Sequence, residues 1–297
     1  MLRISPVRVI MKKVHVVIIG LGLIGGSIGL ALKEVGEPGW EIVGYVRRAE
    51  AVSIALSLGA VDRAETNLRK AVKGADLVII ATPVLTIKQI LAQIADCLPH
   101  GCIVTDTAST KVEVMRWAEE ILPPIVDFIG GHPMAGKEAY GIQAAEAKLF
   151  QGCAYCLTPA KRASSDAIDK VANLVKKLGA SPLFIDAEEH DNLVAGISHL
   201  PMLLSAALVS VTTKDSSWDK MSRLAASGYR DLTRLASGNP EVNAHICLTN
   251  RQAVIHWIDE FSKELDRYRQ LVGARDEHLE EALAEANKAR QKWLDKT

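Results

Sequence analysis

The sequence has few of the features that mark several classes of protein. Its 297 residues include only 5 cysteines, too few for the disulfide framework of a small secreted protein. Its 35 lysines and arginines equal its 35 aspartates and glutamates, so no net charge attracts nucleic acid or an anionic membrane. We therefore expect a globular protein of a reducing compartment, the cytoplasm, without nucleic-acid or membrane partners.

Two further absences concern secretion and metal. The first dozen residues are basic but lack the apolar core of a signal peptide, and Met11 is an alternative start to Met1. Cys153 and Cys156 form the one C-x-x-C motif, inside a pattern typical of a strand. Residues i and i+3 of a strand face opposite ways, so we predict neither a metal site nor a disulfide there.

One run lacks charge altogether. Residues 193–211 contain no Asp, Glu, Lys or Arg, which is long enough to raise a membrane-spanning interpretation. His199, Pro201 and three serines within the run argue against a membrane span. A helix that is apolar all round is otherwise buried among helices, so we predict the core of a homodimer.

The chain is organised around residues 14–33. An uncharged β-branched run leads into Gly20-Leu21-Gly22-Leu23-Ile24-Gly25 and then into an apolar run with helical spacing. Strand, glycine turn and helix together predict a dinucleotide-binding unit: Gly20 permits the turn, Gly22 admits a pyrophosphate and Gly25 lets helix and strand pack closely. A plain structural glycine turn is the alternative.

Strand and helix patterns then alternate as far as residue 185, and only helical patterns follow. We predict a Rossmann domain over 13–185 and an all-α domain over 186–297. The second strand pattern ends in Val46-Arg47-Arg48 instead of the acid that hydrogen-bonds an NAD ribose. Guanidinium groups suit the 2′-phosphate of NADP, so NADP is expected, with NAD as second choice. A solvated arginine pair on a loop is the simpler alternative.

Three stretches of the first domain carry candidate side chains. Thr82-Pro83 closes a buried strand pattern where a cofactor is expected to lie. Ser109 follows the next strand pattern, and either Ser109 or Thr110 can be the N-cap of the helix that begins at Val112. The alternative for Ser109 is a position near ligand, beyond the carboxyl end of a parallel strand. His132, between two glycines and a proline, is predicted on a rigid loop beyond the strand at 125–129, where a catalytic histidine is favoured over a core one.

Two stretches of the second domain complete the set. His199 lies two residues before Pro201, whose ring disturbs helical hydrogen bonding and can free backbone groups for a site. Arg230 and Arg234 are four residues apart, on one face of a predicted helix. They are either a surface pair or, if the substrate is an acid, a match for its carboxylate.

Five motifs in this order resemble those of the prephenate/arogenate dehydrogenase family. They are Gly20-Leu21-Gly22-Leu23-Ile24-Gly25-Gly26-Ser27, Asp106-Thr107-Ala108-Ser109-Thr110-Lys111, Gly131-His132-Pro133-Met134-Ala135-Gly136, Ser198-His199-Leu200-Pro201 and Tyr229-Arg230-Asp231-Leu232-Thr233-Arg234. The first is generic to dinucleotide enzymes and the other four are specific. The resemblance runs from Val14 to the C-terminal helices, and it implies a dinucleotide domain followed by a helical dimerisation domain.

The resemblance also implies a reaction and roles for residues. The expected reaction is the oxidative decarboxylation of a cyclohexadienyl acid in tyrosine formation. His132 matches the catalytic base, Ser109 the serine that orients it, His199 a histidine beside substrate and nicotinamide, and Arg230 the arginine that holds a substrate carboxylate. For Arg234 both a substrate-binding role and a structural role remain open.

One position departs from the family pattern. Many prephenate-using relatives carry a second histidine just after the proline of the Ser-His-Leu-Pro motif, where this chain has Met202. Together with Arg47 and Arg48, this favours L-arogenate with NADP over prephenate. A β-hydroxyacid dehydrogenase is a rival, but its catalytic lysine motif is not found between Asp186 and Ser217. A non-catalytic NADP-binding regulator is another, and it would not need His132, Ser109 and Arg230 together.

Overall fold

The sheet of this protein has eight strands, which supply the framework for everything below. The computed structural model describes residues 13–47 and 49–296. Arg48 and the choice between Met1 and Met11 therefore lie outside the described residues. The strands are β1 Val14–Ile19, β2 Trp40–Tyr45, β3 Arg63–Glu65, β4 Leu77–Ile80, β5 Ile103–Asp106, β6 Asp127–Pro133, β7 Ala154–Pro159 and β8 Ser181–Phe184.

The strand order is β3-β2-β1-β4-β5-β6-β7-β8, and every neighbouring pair is parallel except β6 and β7. Strand β1 shows why the sequence folds this way. Val16 and Ile18 belong to the core cluster on one face, and Val17 and Ile19 to the cluster on the other. A strand buried on both faces needs a continuous apolar run, so the predicted Rossmann arrangement is confirmed.

Helices cover both faces and then continue alone. They are α1 Leu23–Val35, α2 Glu50–Ser57, α3 Leu68–Val72, α4 Val84–Ile94, α5 Val112–Ile121, α6 Ser165–Lys177, α7 Ala187–Val194, α8 Leu200–Thr213, α9 Trp218–Leu224, α10 Ser227–Thr233, α11 Pro240–Thr249, α12 Arg251–Ala274 and α13 His278–Leu294. The prediction that only helices follow Asp186 is confirmed for the part of the chain that the structure describes.

By compactness the chain divides into two units, one ending at Asn250 and one beginning at Arg251. The first holds the sheet and helices α1–α11. The second holds α12 and α13, where the Tyr268 hydroxyl donates a hydrogen bond to the Ala282 carbonyl. Several large apolar side chains of α12 remain exposed, among them Ile255, Trp257 and Phe261.

The uncharged run lies within a continuous helical stretch, Ala187–Thr213, that is long and apolar enough to cross a membrane by length and composition. Within it α7 and α8 are joined by a π-helical segment, Ala195–His199, in which Leu200 N–H bonds the Ala195 carbonyl five residues back. Pro201 follows directly and cannot donate a backbone bond of its own. Only 33% of the most apolar window is buried within the chain.

Two local predictions were wrong. His132 lies on β6 itself, paired with Cys156 of antiparallel β7, and not on a loop beyond the strand. Neither Ser109 nor Thr110 caps α5: the Asp191 carboxylate accepts from Lys111 N at 2.7 Å and Val112 N at 2.9 Å, while the Thr110 hydroxyl bonds that of Thr249. In both cases a distant segment supplies the hydrogen bonds.

Candidate active site

The glycine turn between β1 and α1 forms one wall of the site. Gly20 has φ +94°, and a Cβ there would lie 2.6 Å from the Ala81 carbonyl oxygen. A Cβ on Gly25 would lie 2.0 Å from the Gly20 oxygen, whereas one on Gly22 would meet nothing within 4 Å. The three predicted glycine roles are thus visible in the geometry: turn, open approach and close packing. Helix α1 begins at Leu23, so its free N–H groups face that open space.

A cavity of about 390 Å³ opens beside this turn. Three groups of segments line it: the ends of β1, β4 and β5, the segment after β6, and the start of α11. The lining residues are Gly22, Leu23, Ile24, Ala81, Thr82, Pro83, Val84, Thr107, Ala108, Ser109, Gly136, Lys137, Glu138, Ala139, Tyr140, Gly141, Gly238, Asn239, Val242, Asn243 and Ile246. The cavity lies outside the carboxyl ends of parallel strands, where open α/β sheets bind ligands.

Thr82 and Pro83 bring β4 to this cavity. Pro83 is the N-cap position of α4, and the Thr82 and Thr86 hydroxyls lie 2.8 Å apart. The methyl group of Thr82 lies 2.6 Å from where a Gly20 Cβ would be. The two chain segments that were predicted to face a cofactor are therefore in contact.

A buried ion pair lies behind the cavity wall, where β5 ends. The Lys111 ammonium and the Asp106 carboxylate are both fully buried and paired. Lys111 Nζ also donates to the Gly131 carbonyl at 2.6 Å, and Asp106 accepts from the N–H groups of Ala108 at 2.8 Å and Gly131 at 3.0 Å. Burial lowers the pKa of Lys111, and the charge of Asp106 opposes that shift. These bonds tie the end of β5 to Gly131, the residue before His132.

His132 is buried, at 8% exposure, and has a histidine partner. Its Nδ1 lies 2.9 Å from Nε2 of His190, and Nδ1 of His190 lies 2.8 Å from Oδ1 of Asp191. Burial is the largest cause that holds the pKa of His132 well below its ordinary value, and the charges of His190, Lys111 and His199 act in the same direction. His132 is therefore neutral, and able to accept a proton, at physiological pH.

His199 is buried at the end of the π-helical segment, at 1% exposure. Its Nδ1 lies 3.3 Å from the amide nitrogen of Asn250, which donates to the Asp191 carbonyl at 2.7 Å. Its Nε2 has no hydrogen-bond partner among the residues that the structure describes. Burial lowers the pKa of His199 to about 4, against the opposing effects of the Asp191 charge and the Ser109 carbonyl. A buried, unpartnered ring nitrogen is ready to bond a ligand.

Ser109 lines the cavity and is half-buried. Ser109 lies two residues before Lys111, whose backbone N–H bonds Asp191. Asp191 is linked to His132 through His190 and to His199 through Asn250. These bonds bring His132, Ser109 and His199 to one region of the first unit, although only Ser109 is among the residues that line the cavity.

The two arginines differ in their surroundings. Arg234 begins the short 3-10 helix after α10 and is paired with Glu138, which lines the cavity. Arg230 lies on α10, is exposed and is not among the lining residues. Neighbouring Lys137 is held by Glu146 at 2.5 Å. Of the two, Arg234 has the closer link to the cavity.

Arg47 follows β2 at the surface and is exposed. Val46 and Arg47 follow β2, so the acidic residue that would bond the ribose of NAD is absent from the end of this strand. Arg47 does not line the cavity, so its link to the site depends on a cofactor that extends from the glycine turn toward the end of β2.

Sequence reasoning missed His190, Asp191, Lys111 and Asp106 as parts of the site. Asp106 and Lys111 were within a recognised motif, and their five-residue separation gave no hint of a buried pair. His190 and Asp191 are adjacent polar residues directly before an apolar helix, which is a weak signal. Asp191 is 80 residues from the helix that it caps. Within the described residues no cluster of three or more metal-ligating side chains occurs.

Comparison with known proteins agrees with this geometry. The family model for the prephenate dehydrogenase nucleotide-binding domain matches residues 28–183, and the model for its dimerization domain matches residues 186–286. Prephenate dehydrogenase of Bacillus subtilis (strain 168) is 38% identical over 263 residues, which are 88% of this chain and 71% of the relative.

Two solved structures are similar over almost their full length. Prephenate dehydrogenase of A. aeolicus, in complex with hydroxyphenyl propionate and NAD+, is 30% identical with a TM-score of 0.87, covering 95% of this chain and 99% of that one. Arogenate dehydrogenase of Synechocystis is also 30% identical, with a TM-score of 0.79 over 94% of this chain and 99% of that one. The chain belongs to the prephenate/arogenate dehydrogenase family.

Proposed function

We propose that this protein oxidatively decarboxylates a cyclohexadienyl acid with a nicotinamide dinucleotide. The observation that carries the proposal is a cavity beside a glycine turn that Ser109 lines, together with His132, a buried neutral base on β6, the strand that leads into the cavity-lining segment from Gly136 to Gly141. The A. aeolicus relative in complex with hydroxyphenyl propionate and NAD+ supports the same substrate and cofactor classes.

The residues of the turn fit a dinucleotide. The open space at Gly22 leaves room for a pyrophosphate, and the N–H groups at the start of α1 would bond it. The rest of the dinucleotide would contact four residues that line the cavity: Leu23, Ile24, Thr82 and Pro83. When bound, the nicotinamide ring accepts a hydride.

The protein's own groups supply the rest of the chemistry. As the ring carbon that bears the hydroxyl loses hydride, the hydroxyl becomes acidic and His132 accepts its proton. The ring carboxylate leaves as carbon dioxide, and its bonding electrons enter the ring, which becomes aromatic as a phenolate. The phenolate oxygen then regains the proton from His132, which restores the neutral base. A general base of this kind raises the reaction rate by a factor of roughly 10²–10⁴. In this proposal Ser109 orients the hydroxyl, and His199 Nε2 bonds the substrate.

The substrate carboxylate needs a cation at the opposite side of the cavity. Arg230 is the residue that the family resemblance indicates, whereas pairing with Glu138 supports Arg234. We propose Arg234 as the principal carboxylate ligand, because an acidic substrate can replace Glu138 as its partner. Arg230 then makes a smaller contribution to substrate binding from the surface.

For the finer identity we propose L-arogenate and NADP. Arg47 after β2, with Arg48 next in sequence, suits a 2′-phosphate, and Met202 stands where many prephenate-using relatives have histidine. Prephenate with NAD is the second candidate, and it is favoured by the 38% identity to the prephenate dehydrogenase of Bacillus subtilis.

Assembly and location complete the proposal. We infer a homodimer through the helical domain, residues 186–297, with the dinucleotide domain over 13–185. The dimerization-domain match over 186–286 and the exposed apolar side chains of α8 and α12 support it, including Val211 at 71% exposure. The free state of all five cysteines fits the reducing cytoplasm.

Absorbance at 340 nm tests the reaction and its finer identity together. Arogenate and prephenate are each assayed with NADP and with NAD, and catalytic efficiency is compared across the four pairs. We expect the largest value with arogenate and NADP, and Arg47→Ala should narrow the preference for NADP. A preference for prephenate and NAD would support the second candidate, and no reduction in any pair would refute the proposed reaction.

A further inference from the structure

Three buried side chains form a chain of hydrogen bonds that ends on His132. Asp191 contacts His190, and His190 contacts His132, at the distances given above. Their exposures are 3%, 0% and 8%, so no water competes along the chain. The His132 and His190 rings meet edge to face, with centroids 5.1 Å apart and an interplanar angle of 75°.

Counting protons along this chain gives each bond a direction. Asp191 is surrounded by donors: its oxygens accept from Lys111 N, Val112 N and His190 Nδ1. His190 therefore carries its proton on Nδ1, and the Nε2 of a neutral imidazole is then an acceptor. His132 must donate to it from Nδ1. The remaining nitrogen of His132, Nε2, is left with a free lone pair.

We propose that Asp191 and His190 are positioning residues that hold His132 in the Nδ1–H tautomer, with Nε2 free to accept the substrate proton. The inference rests on the proposed role of His132 as base. It adds two residues that touch neither substrate nor cofactor, and it names the ring atom of His132 that reacts.

The buried charges around the chain favour this arrangement. Asp106 and Asp191 are two buried carboxylates, and Lys111 is the one buried cation beside them within the described residues. Burial and the Lys111 charge oppose the proton that His132 gains. Asp191, which His132 reaches through His190, carries the opposite charge and offsets part of that opposition, as in other His–carboxylate pairs.

A purely structural role for Asp191 is the alternative, since the same carboxylate caps α5. The two interpretations differ for Asp191→Asn. Oδ1 of Asp191 accepts from both His190 Nδ1 and Lys111 N, whereas Oδ2 accepts from Val112 N. In Asp191→Asn the amide oxygen can keep the two bonds at the Oδ1 position, so the variant removes the negative charge and the bond to Val112 N but keeps the acceptor for His190. A positioning role predicts a fall in turnover with little change in KM, whereas a purely structural role predicts a loss of stability alone.

Nitrogen-15 NMR of histidine-labelled protein measures the tautomer without any need for activity. Subtraction spectra of His132→Asn and His190→Asn assign the two rings. We expect Nδ1 of His132 to be protonated and Nε2 bare in the natural protein, and a mixture of the two tautomers in His190→Leu, which removes the acceptor of Nδ1. A protonated Nε2 in the natural protein, or an unchanged single tautomer in His190→Leu, would overturn the proposal even if the reaction itself were confirmed.

Kinetics of matched variants supply a second test of the proposal. His190→Gln retains a carbonyl acceptor for His132 Nδ1 and should recover part of the turnover that His190→Leu loses. Asp186→Asn is the control, because Asp186 caps α7 of the same helical stretch through Glu188 N and contacts no histidine ring. It should leave turnover and the NMR tautomers unchanged. Equal turnover in His190→Gln and His190→Leu would refute a role for the acceptor.

Discussion

The two sides of the cavity are built differently. On the sheet side, behind the cavity wall, His132, His190, Asp191 and Lys111 are buried, and each is held by at least one fixed hydrogen-bond partner. On the helical side Arg234 is exposed and its partner, Glu138, is a carboxylate that an acid can replace. A prearranged site lowers the barrier of the chemical step, whereas a replaceable ion pair allows binding. We therefore expect changes on the sheet side to affect turnover and changes on the helical side to affect KM.

The largest effect should come from the base itself. His132→Asn keeps a polar side chain but removes the group that accepts the proton. We expect turnover to fall by roughly 10²–10⁴, with cofactor affinity retained. Steady-state kinetics and fluorescence titration of the cofactor would measure both quantities.

His199→Asn is the control for that variant, since His199 is expected to contact substrate and not to take its proton. It should raise KM more than it lowers turnover. A loss of less than about tenfold in His132→Asn would remove His132 as the base and make His199 the candidate.

The second largest effect concerns stability. Lys111→Met leaves Asp106 buried without its cation, and breaking a buried pair in this way costs about 3–5 kcal/mol. Denaturant unfolding of the two proteins should show this loss. The matched control is Arg69→Met, which breaks an exposed pair with Asp96 whose side chains are 56% and 67% exposed. That variant should lose far less stability, because water screens an exposed ion pair, and an equal loss in both would contradict the account of the buried pair.

The third effect separates the two arginines. A charge-assisted hydrogen bond contributes about 1.5–3 kcal/mol, so Arg234→Ala should raise KM by roughly one to two decades with a smaller change in turnover. Arg230→Ala should raise KM less, because Arg230 is exposed and does not line the cavity. The reverse order would restore Arg230 as the principal ligand of the carboxylate.

The sequence could predict the local features of the site but not those that depend on tertiary contacts. The glycine turn depends on local spacing, so the turn at Gly20 and the close packing at Gly25 could be predicted and agree with the geometry, whereas the pyrophosphate at Gly22 stays a prediction. The strand at His132 was missed because Gly130, Gly131 and Pro133 resemble a loop until β7 pairs with them. The local pattern carries no information about that partner.

The hydrogen-bond chain behind His132 depends wholly on tertiary contact. His190 lies 58 residues from His132 in sequence, and Asp191 caps a helix 80 residues away. Neither separation leaves a periodic pattern, so only the fold shows that these residues meet. The same holds for Arg234 and Glu138, which are 96 residues apart.

The smallest effect is a shift in the pH dependence of the reaction, and it tests whether the sheet side is buried during turnover. A base works when deprotonated, so activity is lost as pH falls through the pKa of His132. A histidine with an ordinary pKa of about 6.5 would leave roughly a quarter of the activity at pH 6. Because burial lowers the pKa of His132, we expect the acid limb of kcat/KM to lie below that value and activity at pH 6 to stay near its plateau.

His278 is the internal reference in an NMR titration of the ring protons. It is exposed, and its hydrogen bond to Asp276 raises its pKa, so it should titrate above His132. An acid limb at or above pH 6.5, with His278 titrating normally, would mean that water reaches His132 in the working enzyme.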